Sequence, residues 1–438
     1  MNFERYHYKT YEELKSEIQR LSVDIPLSEN TGILKNELPE PHIKNRIAIQ
    51  PMEGCDGTPD GKPDELTFRR YMRFARSGAG LIWGEATAVM KEGRANPRQL
   101  YINKDNLDAF KKLVNDTKEE CMRHNGFEPY LVCQLTHSGR YAKPNGYPQP
   151  LIAYHNSVFE KNNPIDDSAI VSDDYLDSVA DHFGPAAAMA KEAGFDAADV
   201  KCCHRYLFSE LCSAYERPGK YGGSFENRTR LYLTALKNAL SEQDDSFKVT
   251  SRLNLYDGFA YPNGFGVKED GSITPDLDEP IKLVGIIHND LGIKMLDFTI
   301  GNPYFNPHVN RPFDMGGYVP PEHPLEGVAR MFDCIKALKK AYPDLTVISS
   351  GHSYLRKFAP NLAAAVIERG IADIAGFGRE AFAYEQFAND ILNGCFDEKK
   401  CCIACSKCTE LMRAGTVAGC VVRDSEVYLP YYKQYCKK

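Results

Sequence analysis

The sequence predicts an α/β protein whose main domain is a closed (β/α)8 TIM barrel, followed by a small cysteine-rich extension at the carboxyl end. Two observations predict the barrel: short apolar runs alternate with longer segments of helical period, and eight such runs occur. A third observation, five cysteines between Cys401 and Cys420, sets the extension apart. An open doubly wound sheet is the alternative, because periodicity alone does not show that a sheet closes.

The predicted strands lie at residues 46–50, 80–84, 129–135, 195–201, 247–253, 294–300, 345–350 and 372–377. Several show too little alternation for a half-exposed sheet, as expected of parallel strands covered on both faces. Between them, apolar residues recur near every 3.6 positions, for example from Leu66 to Phe74 and from Val328 to Leu338. We therefore predict an amino-terminal extension at 1–42 with a helix at 11–21 and a packing role, a barrel at 43–395, and a carboxyl-terminal extension at 396–438.

Composition narrows the classes of function. Lys and Arg number 53 against 60 Asp and Glu, a net charge of -7, and no basic stripe is present, so nucleic acid is not an expected partner. No apolar run of 18 residues and no secretory signal pattern occur, so we expect a cytoplasmic protein without a membrane span. The 14 cysteines then belong to a reducing compartment, where clustered thiols more often bind metal. A homo-oligomer is compatible with all of this.

Residues just after the strands predict a flavin pocket, because the chemistry of a parallel barrel collects at the carboxyl ends of its strands. Gly351 follows strand 7, and Gly378 and Arg379 follow strand 8; this pairing suits a phosphate, although each glycine alone also fits a tight turn. Gln134 and Arg252, at the ends of strands 3 and 5, are individually compatible with satisfied buried polar residues. Together with a phosphate site, an amide for an imide edge and a nearby cation predict an FMN pocket.

Strand 4 supplies three candidate catalytic residues over the same mouth of the barrel. Lys201 and His204 are donors that can hold a carbonyl or carboxylate, and Tyr206 is a phenol that can deliver a proton. A capped core tyrosine is the alternative interpretation of Tyr206.

Four segments resemble the Old Yellow Enzyme family of FMN-dependent oxidoreductases in content and order. They are NRIAIQPM at 45–52, QLTHSGR at 134–140, the stretch from AGFD at 193 to YL at 207, and YGGSFENR at 221–228. The resemblance covers about residues 30–395 and implies a (β/α)8 barrel, reduction of a C=C bond conjugated to an electron-withdrawing group, and a proton donor at Tyr206. The FMN contacts that it implies are Pro51, Met52, Ala86, Gln134, Arg252, Gly351, Gly378 and Arg379.

Two positions depart from the family pattern. Many members carry His followed by His or Asn on strand 4, whereas this chain has Lys201 and His204, which leaves both an enone and an enoate as substrate. A bulky substrate such as a steroid is compatible with either. Glu53 and Cys55 stand where the family has smaller flavin-tuning residues, and we assign Cys55 no role.

The cysteines follow the spacing C-x2-C-x2-C-x11-C, formed by Cys402, Cys405, Cys408 and Cys420. An iron–sulfur cluster is favoured over zinc, because zinc ribbons usually have two C-x-x-C pairs instead of a triplet and a distant fourth ligand. The position after the barrel resembles the subgroup of 2,4-dienoyl-CoA reductase and trimethylamine dehydrogenase, which implies a [4Fe-4S] cluster beside the flavin. Cys401 adjoins Cys402 and can replace it as a ligand.

Members of that subgroup often continue into two nucleotide-binding domains, whereas this chain ends about 18 residues after Cys420. Electrons are then expected from NAD(P)H docking on the barrel, or from a ferredoxin or flavodoxin docking on an exposed patch at Lys399, Lys400 and Lys407.

The leading hypothesis for the function is an ene-reductase of an anaerobe. The alternatives are an amine dehydrogenase or demethylase that passes electrons outward, and an electron-transfer subunit that docks through the aromatic tail at Tyr428, Tyr431, Tyr432 and Tyr435.

Overall fold

The protein is described over residues 5–437 by a computed structural model, and eight parallel strands form a closed barrel in chain order. The strands are β1 (Ile47–Ile49), β2 (Leu81–Ala88), β3 (Tyr130–Thr136), β4 (Ala197–Val200), β5 (Lys248–Asn254), β6 (Met295–Thr299), β7 (Thr346–Ser349) and β8 (Ile374–Phe377). β1 pairs with both β2 and β8, with Ile47 opposite Ala375 on β8. The predicted barrel is therefore confirmed, and the open sheet is wrong.

Helices follow or connect the strands. They are α1 (Tyr11–Arg20), α2 (Glu65–Arg76), α3 (Leu107–Asn125), α4 (Ser157–Glu160), α5 (Asp173–Asp181), α6 (Phe183–Glu192), α7 (Leu207–Leu211), α8 (Phe225–Leu240), α9 (Asp278–Gly285), α10 (Pro307–Asn310), α11 (Pro324–Ala341), α12 (Ala359–Glu368), α13 (Arg379–Ala383), α14 (Phe387–Leu392), α15 (Lys407–Arg413) and α16 (Ser425–Tyr435). Thr10 caps α1 with a reciprocal Thr–Glu capping box, which explains where the predicted amino-terminal helix begins. In the part of the chain from 5 to 437, no helix combines the length and apolar character needed to cross a membrane.

One end of the barrel is closed by its own core. Leu38 and Ile43 form an antiparallel bridge, with Leu38 N–H donating to the Ile43 carbonyl at 2.8 Å and the reverse bond at 2.9 Å. Both side chains pack against residues near the start of the strands, including Trp83 on β2. This end is therefore filled, and the open mouth lies at the carboxyl ends of the strands.

The carboxyl-terminal extension has a small core of its own, which contacts the barrel near β1 and α2. Its buried residues are Leu411, Val417, Val421, Tyr428 and Tyr432. Ala418 N–H donates to the Gly54 carbonyl at 2.7 Å, and Asp424 accepts from the Arg69 guanidinium at 2.7 Å. Tyr428 and Tyr432 are buried in this core, whereas Tyr431 is half-buried and Tyr435 is exposed, so the aromatic tail as a whole is not a free docking surface.

Candidate active site

Two buried aspartates hold the predicted flavin residues Gln134 and Arg252. Asp199 on β4 accepts from Gln134 Nε2 at 2.6 Å and from the Arg252 backbone N–H at 2.8 Å, while Asp297 on β6 pairs with Arg252 Nε at 2.9 Å. Burial raises the pKa of each aspartate to about 6, and the Arg252 charge opposes that rise at Asp297. The Gln134 amide nitrogen is thus committed to Asp199, which leaves its carbonyl oxygen for the cavity.

The loops after β7 and β8 meet at the predicted phosphate site. Gly351 has φ +99°, and a Cβ there would lie 2.6 Å from Met331 Sδ, so the position requires glycine. Gly378 precedes Arg379 at the start of α13, and both line the same cavity as Gly351. Arg379 Nη1 is buried and has no hydrogen-bond partner among residues 5–437. An unpaired buried guanidinium nitrogen beside two glycine turns fits an anionic group.

Lys201, His204 and Tyr206 line this cavity together. Lys201 Nζ lies 3.8 Å from the centre of the Tyr206 ring, and Tyr206 Oη lies 2.8 Å from Tyr304 Oη. His204 adopts φ +64° and its Nε2 lies 3.3 Å from Asn310 Nδ2. The strand 4 loop therefore turns sharply, and the imidazole and the phenol both reach the mouth of the barrel.

Burial sets the protonation of these three groups. It lowers the pKa of Lys201, lowers the pKa of His204 well below 6.5, and raises the pKa of Tyr206 well above 10. At neutral pH, His204 is thus a neutral imidazole and Tyr206 a protonated phenol. The site offers N–H donors at the imidazole and at the Lys201 amino group, and a transferable proton at the phenol.

The remaining predicted flavin contacts, Pro51, Met52 and Ala86, line the same cavity. Every flavin and catalytic residue predicted from the sequence therefore lines one cavity.

Glu53 also lines this cavity. Its carboxylate accepts from Asn96 Nδ2 at 2.7 Å, and burial raises its pKa, with Lys201 opposing the rise.

The four predicted ligand cysteines line a second, smaller cavity beside the first. Cys402, Cys405, Cys408 and Cys420 all contribute to its wall, and Arg379, Phe382 and Cys408 line both cavities. Two residues between the ligands, Ala404 and Ser406, have positive φ, so this loop is tightly wound. Among residues 5–437, no group of three or more His, Cys, Asp or Glu side chains is arranged to hold a single metal ion.

Cys401 and Cys402 point to different surroundings. Cys401 Sγ donates to the Glu398 carbonyl at 3.1 Å and is not part of the cavity wall, whereas Cys402 Sγ accepts from Ala404 N–H at 3.4 Å.

Of the three predicted docking lysines, Lys399 and Lys400 are exposed. Lys407 is half-buried with its Nζ 5.5 Å from the Tyr432 ring centre, so the expectation that it is exposed is wrong.

Comparison with known proteins gives the family. Residues 37–270 match the profile of the NADH:flavin oxidoreductase / NADH oxidase family, which is more than half of the chain. The chain belongs to this family. Its members bind FMN, and the resemblance to Old Yellow Enzyme predicted from the sequence motifs is confirmed.

Among relatives, an NADPH dehydrogenase of Bacillus pumilus is 34% identical over 208 residues, which are 46% of this chain and 56% of that protein. Among solved structures, 2-naphthoyl-CoA reductase in complex with 2-naphthoyl-CoA has a TM-score of 0.73 and 18% identity, covering 90% of this chain and 57% of that one. Histamine dehydrogenase from Rhizobium sp. 4-9 has a TM-score of 0.67 and 18% identity, covering 89% and 52%. The chain thus spans a little over half the length of these proteins, and the structural likenesses show the fold.

Sequence reasoning about this member of the flavin oxidoreductase family missed the loop after β6. Tyr304, Asn310 and Arg311 from that loop all line the main cavity. Burial and the neighbouring charge of Arg379 lower the pKa of Arg311 to about 10. Of the segment Gly301-Asn302-Pro303 directly after β6, Pro303 lines the cavity, whereas Tyr304, Asn310 and Arg311 lie further along the loop.

Proposed function

We propose that this chain is an FMN-dependent ene-reductase that reduces the C=C bond of an enone and carries a [4Fe-4S] cluster in its cysteine loop. The observation that carries the proposal is the convergence of a lysine amino group, a neutral imidazole and a protonated phenol on the cavity lined by the flavin residues. A pure electron relay needs no proton donor at the flavin, so this arrangement favours catalysis on a bound substrate.

The cavity residues fit FMN. The Gln134 carbonyl oxygen can accept from the imide edge of the ring system, and Arg252 brings a positive charge to it. Gly351, Gly378 and Arg379 can hold the phosphate, with the Arg379 Nη1 atom as an uncommitted donor. Pro51, Met52 and Ala86 complete the wall. When bound, FMN supplies the hydride for reduction of the double bond.

The chain's own residues activate the substrate and provide the proton. Lys201 Nζ and the ring N–H of His204 can donate to the carbonyl oxygen, which polarises the conjugated double bond. Tyr206, protonated at neutral pH because burial raises its pKa, can donate its hydroxyl proton to the α-carbon. Tyr304, whose hydroxyl lies 2.8 Å from that of Tyr206, is in place to return a proton to Tyr206.

Glu53 favours an enone over an enoate. Its carboxyl group lines the same cavity as Lys201 and Tyr206, so a substrate carboxylate would enter beside a second acidic group. A neutral carbonyl oxygen accepts from Lys201 without this repulsion. The alternative function is an amine dehydrogenase or demethylase, whose substrate has no carbonyl oxygen for Lys201 and His204 to polarise.

The cysteine loop fits a [4Fe-4S] cluster held by Cys402, Cys405, Cys408 and Cys420. All four line one cavity, and backbone N–H groups donate to the sulfurs of Cys402 and Cys420 at 3.4 and 3.3 Å. Cys401 is oriented away from that wall, which supports Cys402 as the first ligand. When bound, the cluster supplies one-electron transfer. We propose NAD(P)H or a reduced ferredoxin or flavodoxin as electron source, with the exposed Lys399 and Lys400 as the docking residues.

A panel of substrates tests this function under anaerobic conditions. Chemically reduced enzyme is mixed with enones, enoates and saturated ketones, and oxidised enzyme is mixed with primary to tertiary amines, while the flavin absorbance is followed. We expect enones to reoxidise the flavin fastest, saturated ketones to have no effect, and amines to leave the oxidised flavin unchanged. Bleaching of the flavin by an amine, with no response to enones, would establish the alternative function instead.

A further inference from the structure

Two guanidinium groups in the main cavity lack partners. Nη1 of Arg311 and Nη1 of Arg379 are both buried, and neither has a hydrogen-bond partner among residues 5–437. Both residues line the same cavity, together with Gly351, Ser353 and Gly378. Two buried cations in one cavity repel each other and leave donors unsatisfied, so the arrangement is costly unless an anion lies between them.

The acidic groups around the two arginines are committed elsewhere. Asp314, three residues after Arg311, accepts from the Tyr6 backbone N–H at 2.6 Å and lies 3.5 Å from the Arg356 guanidinium. Glu380, next to Arg379, accepts from the Cys402 backbone N–H at 3.1 Å. No ion pair within residues 5–437 includes Arg311 or Arg379, so the protein itself does not provide the anion.

Arg311 is held at the mouth of the barrel by its neighbour. Asn310 Nδ2 donates to the Ile300 carbonyl at 2.8 Å, directly after β6, and Arg311 N–H donates to the Pro307 carbonyl at 2.8 Å. These bonds fix the end of α10 against the barrel. The Arg311 side chain therefore approaches the cavity from the β6 side, while Arg379 approaches it from the β8 side.

We propose that Arg311 is a second phosphate-binding residue, which holds the FMN phosphate against Arg379 and the glycine turns after β7 and β8. The proposal rests on the placement of FMN in the proposed function. It adds a residue that is not predicted by the rule that the functional residues of a barrel lie at the carboxyl ends of its strands. A phosphate dianion is the matching ligand, because it can accept from both guanidinium groups and neutralise both charges.

The test compares FMN with riboflavin, which carries the same ring system without a phosphate. Holoprotein is equilibrated with mixtures of the two flavins, and the ratio of bound FMN to bound riboflavin gives the exchange constant for the phosphate. Four proteins are compared: the wild type, Arg311→Gln, Arg311→Lys and Arg413→Gln. Arg413 is the matched control, because it is exposed and its Nη2 donates to the Pro303 carbonyl at 3.1 Å.

We expect Arg311→Gln to lower the preference for FMN by roughly 10- to 100-fold, as loss of a bond between two charged groups does. Arg311→Lys should lose less, since it keeps the charge, and Arg413→Gln should match the wild type. An unchanged exchange constant in Arg311→Gln overturns the proposal, and so does an equal loss of both flavins, which would make Arg311 a structural residue. A wild-type protein that binds neither flavin would instead overturn the proposed function itself.

Discussion

The barrel mouth and the cysteine loop reach adjoining positions by different means. At the mouth, Gln134 and Arg252 are fixed by strand pairing and by two buried aspartates, so their spacing belongs to the barrel. In the cysteine loop, Cys402 and Cys405 lie in a short irregular segment and Cys408 in the first turn of α15, and the core of this extension is small. Among residues 5–437, the walls of the two cavities have Arg379, Phe382 and Cys408 in common. We infer that the mouth can work without the loop, whereas the loop is useful only beside the mouth.

Removing one loop cysteine gives the largest expected effect and separates the two regions. Cys405→Ser should abolish iron binding and stop turnover with a one-electron protein donor, while chemically reduced enzyme should still reduce the enone. Iron and zinc contents and the visible spectrum measure the first effect, and anaerobic turnover measures the second.

Cys401→Ser is the matched control, because this thiol donates to the Glu398 carbonyl outside the cavity wall. It should keep its full iron content. Zinc in the wild-type protein, or normal donor-driven turnover in Cys405→Ser, would make the cysteines a structural clasp. Loss of enone reduction by the chemically reduced variant would contradict the independence of the mouth.

At the mouth, Tyr206→Phe should slow substrate reduction by about 10² to 10⁴, the usual contribution of a general acid. Flavin reduction by the electron donor should change little, because it requires no proton from Tyr206. Stopped-flow measurement of the two half-reactions separates these effects. Tyr342→Phe, which removes a hydroxyl bonded to the Ile281 carbonyl ahead of β7, serves as control. Equal slowing of both half-reactions would assign Tyr206 to structure.

Arg252→Ala should weaken FMN retention by roughly 10- to 100-fold, because the proposed charged hydrogen-bonding partner of the flavin is lost. It should also lower the flavin reduction potential, since the positive charge favours the reduced, anionic ring. Arg252→Lys keeps the charge and should retain most of the potential. Flavin content and an anaerobic dye-equilibration titration measure both quantities. If Arg252→Ala keeps the wild-type flavin content and flavin reduction potential, the flavin pocket lies elsewhere.

The sequence could predict the barrel and most of the mouth for the same physical reason. Gln134, Arg252 and Arg379 lie on or directly after strands, so the rule that barrel chemistry lies at the carboxyl strand ends locates them. Tyr304 and Arg311 lie further along the loop after β6, and their positions depend on bonds such as that of Asn310 to the Ile300 carbonyl. The spacing of residue types along the sequence does not indicate such bonds, so it does not predict where these loop residues lie.

The carboxyl-terminal extension shows the same limit of prediction from sequence patterns. Spacing identified the four cysteines, with Cys402 as the residue that completes C-x2-C, but Cys401 adjoins it and could replace it as a ligand. The structure separates the two, because Cys402 lines the second cavity and the Cys401 thiol donates to the Glu398 carbonyl instead. The expectation that the tyrosine tail is a docking surface is wrong for two of its four tyrosines. Tyr428 and Tyr432 are four residues apart, the spacing of one helix face, and both are buried.

Acid should weaken the barrel mouth more than the extension, which contains no histidine. His352, after β7, is fully buried, its Nε2 lies 2.9 Å from Ser349 Oγ, and burial lowers its pKa to about 3. In the unfolded chain the same imidazole titrates near 6.5. The unfolded state therefore binds an extra proton between these values, so stability is complete above about pH 6.5 and falls as the pH drops towards 3. At pH 5 the protonation of His352 in the unfolded state lowers the free energy of unfolding by about 2 kcal/mol.

His352→Phe removes this titration. Between pH 7 and pH 5, the free energy of unfolding should therefore fall by about 2 kcal/mol less in His352→Phe than in the wild type. Denaturant unfolding of both proteins at both pH values measures this difference. If His352→Phe keeps the wild-type dependence on pH, His352 is not the acid-sensitive residue of the mouth.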